Sequence, residues 1–165
     1  MKSGFPTQRF TLTEVVPQVP SGLTCRFLLP DRRQTEGRTV LVVSFEGEYP
    51  PGSLGNAHGA FIATSSLHGL KAFDADCVIL DFRAMSYSWG NTLRQVFDDI
   101  AQFRDAGSGP GEQPFPVLAV TSMLSQAAFL SLVTPSGRLT PPWHFDDVDA
   151  AIAYGVRKAN EWLDL

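Results

Sequence analysis

Apolar positions along this chain follow two rhythms. The short continuous runs Val78-Ile79-Leu80 and Val117-Leu118-Ala119-Val120 have the length and branching of strands buried on both faces. Elsewhere the apolar residues fall at helical spacing. Leu93, Val96, Phe97, Ile100 and Phe103 form one stripe, and Val148, Ile152, Val156, Ala159 and Leu163 form another. The pattern predicts strands over 24–29, 39–45, 77–82 and 117–121. It predicts helices over 54–73, 91–103 and 124–133, and a last one opening at Asp146 or Asp147, whose carboxylate caps the free N–H groups. Within 54–73, Phe61, Ile62, Leu67 and Leu70 share a face, against a cost of about 1 kcal/mol each for Gly59 and Gly69 relative to Ala.

The connections carry their own chemistry. The polar stretch 31–38 makes 24–29 and 39–45 a hairpin. Glu46-Gly47-Glu48-Tyr49-Pro50-Pro51-Gly52 reads as the turn that ends the second of these strands. Residues 106–116, rich in Gly and Pro, predict a surface loop, Pro135-Ser136-Gly137 a turn, and 140–145 an extended approach to the last helix. Residues 1–22, rich in Pro, Ser, Gly and Thr, read as an arm or an edge strand before a domain spanning 23–165. Strands separated by helices imply parallel pairing. The expectation is a single α/β domain with a mixed, largely parallel sheet covered by helices.

Composition narrows the class. The 165 residues are 44% hydrophobic and 18% charged, the balance of an ordinary globular protein. A net charge of −4 and scattered basic residues argue against nucleic acid as a partner. No apolar stretch approaches the roughly 18 residues of a membrane span, and no basic-then-apolar leader opens the chain, so a soluble cytoplasmic protein is expected. Cys25 and Cys77 form no CxxC motif and read as two free thiols.

Candidate chemistry concentrates between Asp81 and Arg94. A buried strand ends in a carboxylate, passes through Met85-Ser86-Tyr87-Ser88-Trp89-Gly90-Asn91, and enters a helix. Such a strand–turn–helix junction is where α/β proteins place functional surface. Ser88 has the position of a nucleophile, a phosphate acceptor or a phosphorylatable switch beside the positive end of the helix dipole. On a structural reading, Asn91 caps the helix, Gly90 permits the turn, and Tyr87 or Trp89 seals an edge. The turn matches neither a phosphate-binding Gly-Lys-Ser/Thr loop nor a Gly-x-Ser-x-Gly elbow. His58 and His68 lack the four-residue spacing of a zinc pair. His144, between Trp143 and Phe145, reads as a packing residue, and Asp146, Asp147 and Asp149 as a solvated helix start. Ser88, Ser122 and Ser125 are the serines open to pairing with a histidine, though spacing gives no triad.

Several segments resemble the STAS fold of anti-sigma-factor antagonists. Leu41-Val42-Val43-Ser44-Phe45-Glu46-Gly47-Glu48 is similar to its opening strand and Gly-Glu turn, and Val78-Ile79-Leu80-Asp81-Phe82 to its central strand. Phe115 to Val120 is similar to its next strand, and Phe145 to Ile152 to the start of its closing helix. Ser88-Trp89-Gly90 falls where that family has an Asp-Ser-Ser-Gly turn with a phosphorylatable serine, but Tyr87 and Trp89 replace its Asp and second Ser. A second resemblance, over 76–102 and 117–138, is to the crotonase and Clp-protease superfamily, which builds an oxyanion hole from backbone N–H groups. The Ser-Pro-Gly-Gly turn of those enzymes is absent.

Taken together, these features predict a protein-binding module without catalysis or cofactor. Its partner is another protein, either in a signalling cascade or a toxin neutralised by an immunity-type protein, and a homodimer stays open. The predicted contact residues are Tyr87, Ser88, Trp89 and Asn91 with Arg83 and Arg94 flanking, since aromatics with Arg make interface hot spots. The alternative is a crotonase-like or hydrolase enzyme centred on the same turn.

Overall fold

The computed structural model describes residue 4 and residues 7–17, 19–105, 114–134 and 139–164, with the side chains of Arg104 and Asp105 left aside. Most of the loop predicted at 106–116, and the turn at 135–137, lie outside these residues. β1 (Leu23–Leu28) and β2 (Val40–Tyr49) form the expected antiparallel hairpin. β3 (Cys77–Tyr87), β4 (Val117–Val120) and the two-residue β5 (His144–Phe145) then add in parallel, so the sheet runs β1-β2-β3-β4-β5. The helices are α1 (Asn56–Ala72), α2 (Thr92–Asp105), α3 (Gln126–Val133) and α4 (Val148–Leu163), with a short 3₁₀ turn at Gly52–Gly55 before α1.

Because each parallel strand sits beside its predecessor, every crossover steps the same way, and the helices between strands gather on one face. Leu41, Val43, Phe45, Leu80 and Phe82 pack there against Ile62 and Leu70 of α1, Leu93, Val96 and Ile100 of α2, and Phe129 of α3. The alternate residues Val40, Val42, Cys77, Ile79, Leu118 and Val120 face Ala151, Val156 and Ala159 of α4. The central strands are thus buried on both sides, which is why they read as unbroken apolar runs. Gly59 and Gly69, which count against α1 by propensity, sit at its closest contacts. A Cβ on Gly59 would lie 2.6 Å from Thr92 Cγ2, and one on Gly69 would lie 2.5 Å from Phe27 Cε1. Asp147 caps α4 as expected, accepting from the N–H groups of Asp149 and Ala150.

Two boundaries differ from the sequence reading. Glu46-Gly47-Glu48 does not end β2, which continues to Tyr49. Gly47, at φ 129°, lets Gly22 cross close by; a Cβ there would overlap the Gly22 carbonyl. The stretch read as a turn from Met85 is strand as far as Tyr87. Pairing runs from Ser44↔Asp81 to Glu46↔Ala84, two residues on β2 against three on β3, so β3 carries one extra residue. That bulge resets the alternation, leaving Arg83, Ala84 and Ser86 exposed while Met85 and Tyr87 point into the core.

Candidate functional site

The extension of β3 beyond its bulge delivers the chain to an open hollow of about 640 Å³ at the carboxyl ends of β3 and β4. One wall is Tyr87 to Asn91 with Arg94 of α2, and the other is Met123 to Ser125 with the first turns of α3. The junction is stitched by backbone and serine contacts. Ser122 Oγ donates to the Arg83 carbonyl at 2.7 Å, Ser125 Oγ to the Phe82 carbonyl at 3.3 Å, and the Tyr87 N–H to the Leu124 carbonyl at 3.2 Å. These bonds fix the β4–α3 loop against β3 and set the distance between the walls.

The predicted contact residues separate into three groups. Ser88, Trp89, Asn91 and Arg94 line the hollow and are exposed. Tyr87 also borders it but is no exposed aromatic: its ring is buried edge-on to Tyr49, and its hydroxyl donates to the Gly90 carbonyl at 2.6 Å. Burial pushes that phenol up to about 12, with the neighbouring Tyr49 adding to the effect. Its role is to hold the turn from beneath. Arg83 is not among the residues that line the hollow. The bulge leaves it beside Asp81, where Nε and Nη2 bind the two carboxylate oxygens, each at 2.9 Å. The bond to Asp81, reinforced by the charges of Asp147 and Asp149 at the start of α4, raises its already high pKa.

The site includes two residues the sequence reading passed over. Around the hollow, Trp89 is 63% exposed, Met123 98% and Leu124 56%. Met123-Leu124 is an apolar pair directly after a buried strand, and that pair was the available signal. Trp89 does not hang free, because its indole lies over Gly52 and its carbonyl accepts from the Gly52 N–H at 3.2 Å.

The histidines are engaged elsewhere. His58 Nε2 bonds the Ser21 carbonyl at 3.0 Å, His68 stands by the Phe27 ring, and His144 Nε2 bonds Thr121 Oγ1 at 2.6 Å. None has Ser88, Ser122 or Ser125 as a hydrogen-bond partner. Among the described residues, no group of three His, Cys, Asp or Glu side chains is arranged to hold a metal ion. No helix among them is long and apolar enough to cross a membrane. Compared with family models, curated proteins and solved structures, the chain gives no match.

Proposed function

We propose that the chain is a protein-binding module of STAS type, which regulates or neutralises a partner protein through the hollow between Trp89 and Met123. The observation that carries this reading is the cluster of Trp89, Met123 and Leu124, solvent-exposed around a concave site with Arg94 at its margin. An exposed aromatic with Met and Arg is the composition of an interface core. Both walls are tied down before a partner arrives, the turn by Tyr87 and Gly52 and the β4–α3 loop by Ser122, and preorganisation lowers the entropy cost of binding. On the STAS resemblance, Ser88, which lies exposed between β3 and α2, falls where that family carries its phosphorylatable serine. A phosphoryl group on Ser88 would add charge at the rim of the hollow and alter binding there.

The test is affinity purification of the tagged chain from its native cells, with mass spectrometry of bound proteins and of Ser88. A stoichiometric partner that is lost on Trp89→Ala and on Met123→Asp is the expected result. A partner retained by both variants would move the interface elsewhere. Recovery of no partner, with turnover of a small-molecule substrate, would replace this reading by the enzyme alternative.

A further inference from the structure

The sign of charge in the hollow between Trp89 and Met123 is opposite to that of the chain as a whole. The chain is acidic, with 17 Asp and Glu against 13 Lys and Arg and a net charge of −4. Several of its cations are paired: Arg33 with Asp31, Arg83 with Asp81 and Lys158 with Glu161. The hollow departs from that pattern. Among the described residues that line it there is no Asp or Glu, and Arg94 is the one charged side chain. Arg94 is exposed, and among the described residues no carboxylate pairs with it. The facing wall adds to the same sign. There α3 opens with no acid in its first turn, and Ser125 makes no side-chain cap, its hydroxyl being turned to the Phe82 carbonyl. The helix start at Ala127 and Ala128 thus borders the hollow with its partial positive charge unmatched by a carboxylate.

We propose that the occupant of this hollow is an acidic segment of another protein. One large apolar side chain of that segment sits between Trp89 and Met123, and an Asp or Glu next to it pairs with Arg94. This rests on the reading of the hollow as a protein-docking site and names the chemistry of the partner. An apolar side chain alone would cover the guanidinium and leave it desolvated without an acceptor, which weakens binding. A basic residue would meet Arg94 with like charge. A carboxylate beside the apolar anchor instead gives the guanidinium a charge-assisted bond of matching geometry. The hollow, at about 640 Å³, has room for a few side chains. Polyanions such as nucleic acid or an anionic membrane fit less well, because a net charge of −4 repels them over the whole surface. At physiological salt, charges beyond about 8 Å are largely screened, so a single carboxylate responds to Arg94 rather than to the acidic remainder.

Panning a random-peptide phage library on the full-length chain tests this with a defined probe. The wild type is expected to enrich peptides in which Asp or Glu adjoins Trp, Phe, Leu or Met. Such a peptide, synthesised and measured by isothermal titration, should bind Arg94→Glu about tenfold more weakly or worse and lose affinity as salt rises. Panning on Arg94→Glu should enrich Lys or Arg in place of the acid. Arg94 is exposed, so this variant leaves the core untouched and its circular dichroism should match the wild type. Trp89→Ala, which changes no charge, tests the hollow itself. Peptides that Trp89→Ala abolishes but that carry no acid, or that bind Arg94→Glu unchanged, overturn the acidic partner and leave the hollow as a docking site. Peptides indifferent to both variants, or no enrichment at all, overturn the acidic partner and the docking reading together.

Discussion

The indole of Trp89 covers Gly52 so closely that a Cβ on Gly52 would lie 2.6 Å from Trp89 Cη2. Gly52 also sits at φ 61°, where an L side chain is strained by about 1–2 kcal/mol. Gly52→Ala is therefore expected to destabilise the fold by about 1–2 kcal/mol in urea unfolding and to displace the indole. The displacement is read as a red shift in the part of the tryptophan emission that Trp89→Ala removes. Trp89→Ala itself should cost about 1 kcal/mol or less, because the ring is mostly exposed, yet weaken partner binding at least about tenfold. Equal losses of stability and binding in that variant would reduce Trp89 to a structural cover.

Asp81 and Arg83 form a pair whose two halves are unequally buried. The Asp81 side chain is 6% exposed and accepts from the Arg83 N–H and guanidinium, while the Arg83 side chain is 45% exposed. Removing the arginine strands a buried carboxylate, whereas neutralising the aspartate leaves a cation that water can reach. Arg83→Met is thus expected to cost about 3 kcal/mol and Asp81→Asn about 1–2 kcal/mol. Urea midpoints measured side by side give the order, and the reverse order would show that the bulge tolerates an unpaired Asp81.

The sheet and its helices were legible because burial on both faces writes itself as Val78-Ile79-Leu80 and burial on one as the stripe from Leu93 to Ile100. The site was legible only as a neighbourhood. Glu46-Gly47-Glu48 and Met85-Ser86-Tyr87 read as turns because the residues that make turns also make bulges and half-exposed strand ends. The bulge after Asp81 belongs to the pairing of two strands, not to either alone, so no local pattern announces that Tyr87 turns inward and Arg83 away from the hollow. Met123 and Leu124 came to the site through the docking of the β4–α3 loop by Ser122, a contact across 39 positions. Ser122→Ala should accordingly cost about 1 kcal/mol and speed amide exchange at the Tyr87 N–H, which bonds the same loop.

The two thiols are free but differ in burial. Cys77 lies wholly inside the sheet–α4 interface, where desolvation, reinforced by the charge of Asp76, pushes its thiol far up. Cys25 is partly exposed on the edge strand, and burial raises its thiol as well, against a lowering bond from Ser65. In native protein at mildly alkaline pH, a small maleimide should label Cys25 slowly and leave Cys77 unmodified, with both labelled once the chain unfolds. Intact-mass spectrometry reads the count, and two labels on the folded protein would mean that α4 opens from the sheet.

His144 gives the fold a pH dependence of definite sign. Burial lowers its pKa below the ordinary value, the charge of Asp146 opposing, and its Nε2 is tied to the buried Thr121 hydroxyl. The unfolded chain consequently binds this proton more tightly than the folded one. The contribution to stability is fully present above the unfolded value of about 6.5, falls as pH drops through it toward the folded pKa, and is level below that. The quantity to measure is the difference between wild type and His144→Gln, which isolates this residue's contribution. Urea midpoints taken from pH 8 to pH 5 should show the wild type losing stability relative to the variant below about pH 6.5. A constant difference across that range would mean that His144 meets water as freely in the folded protein as in the unfolded chain.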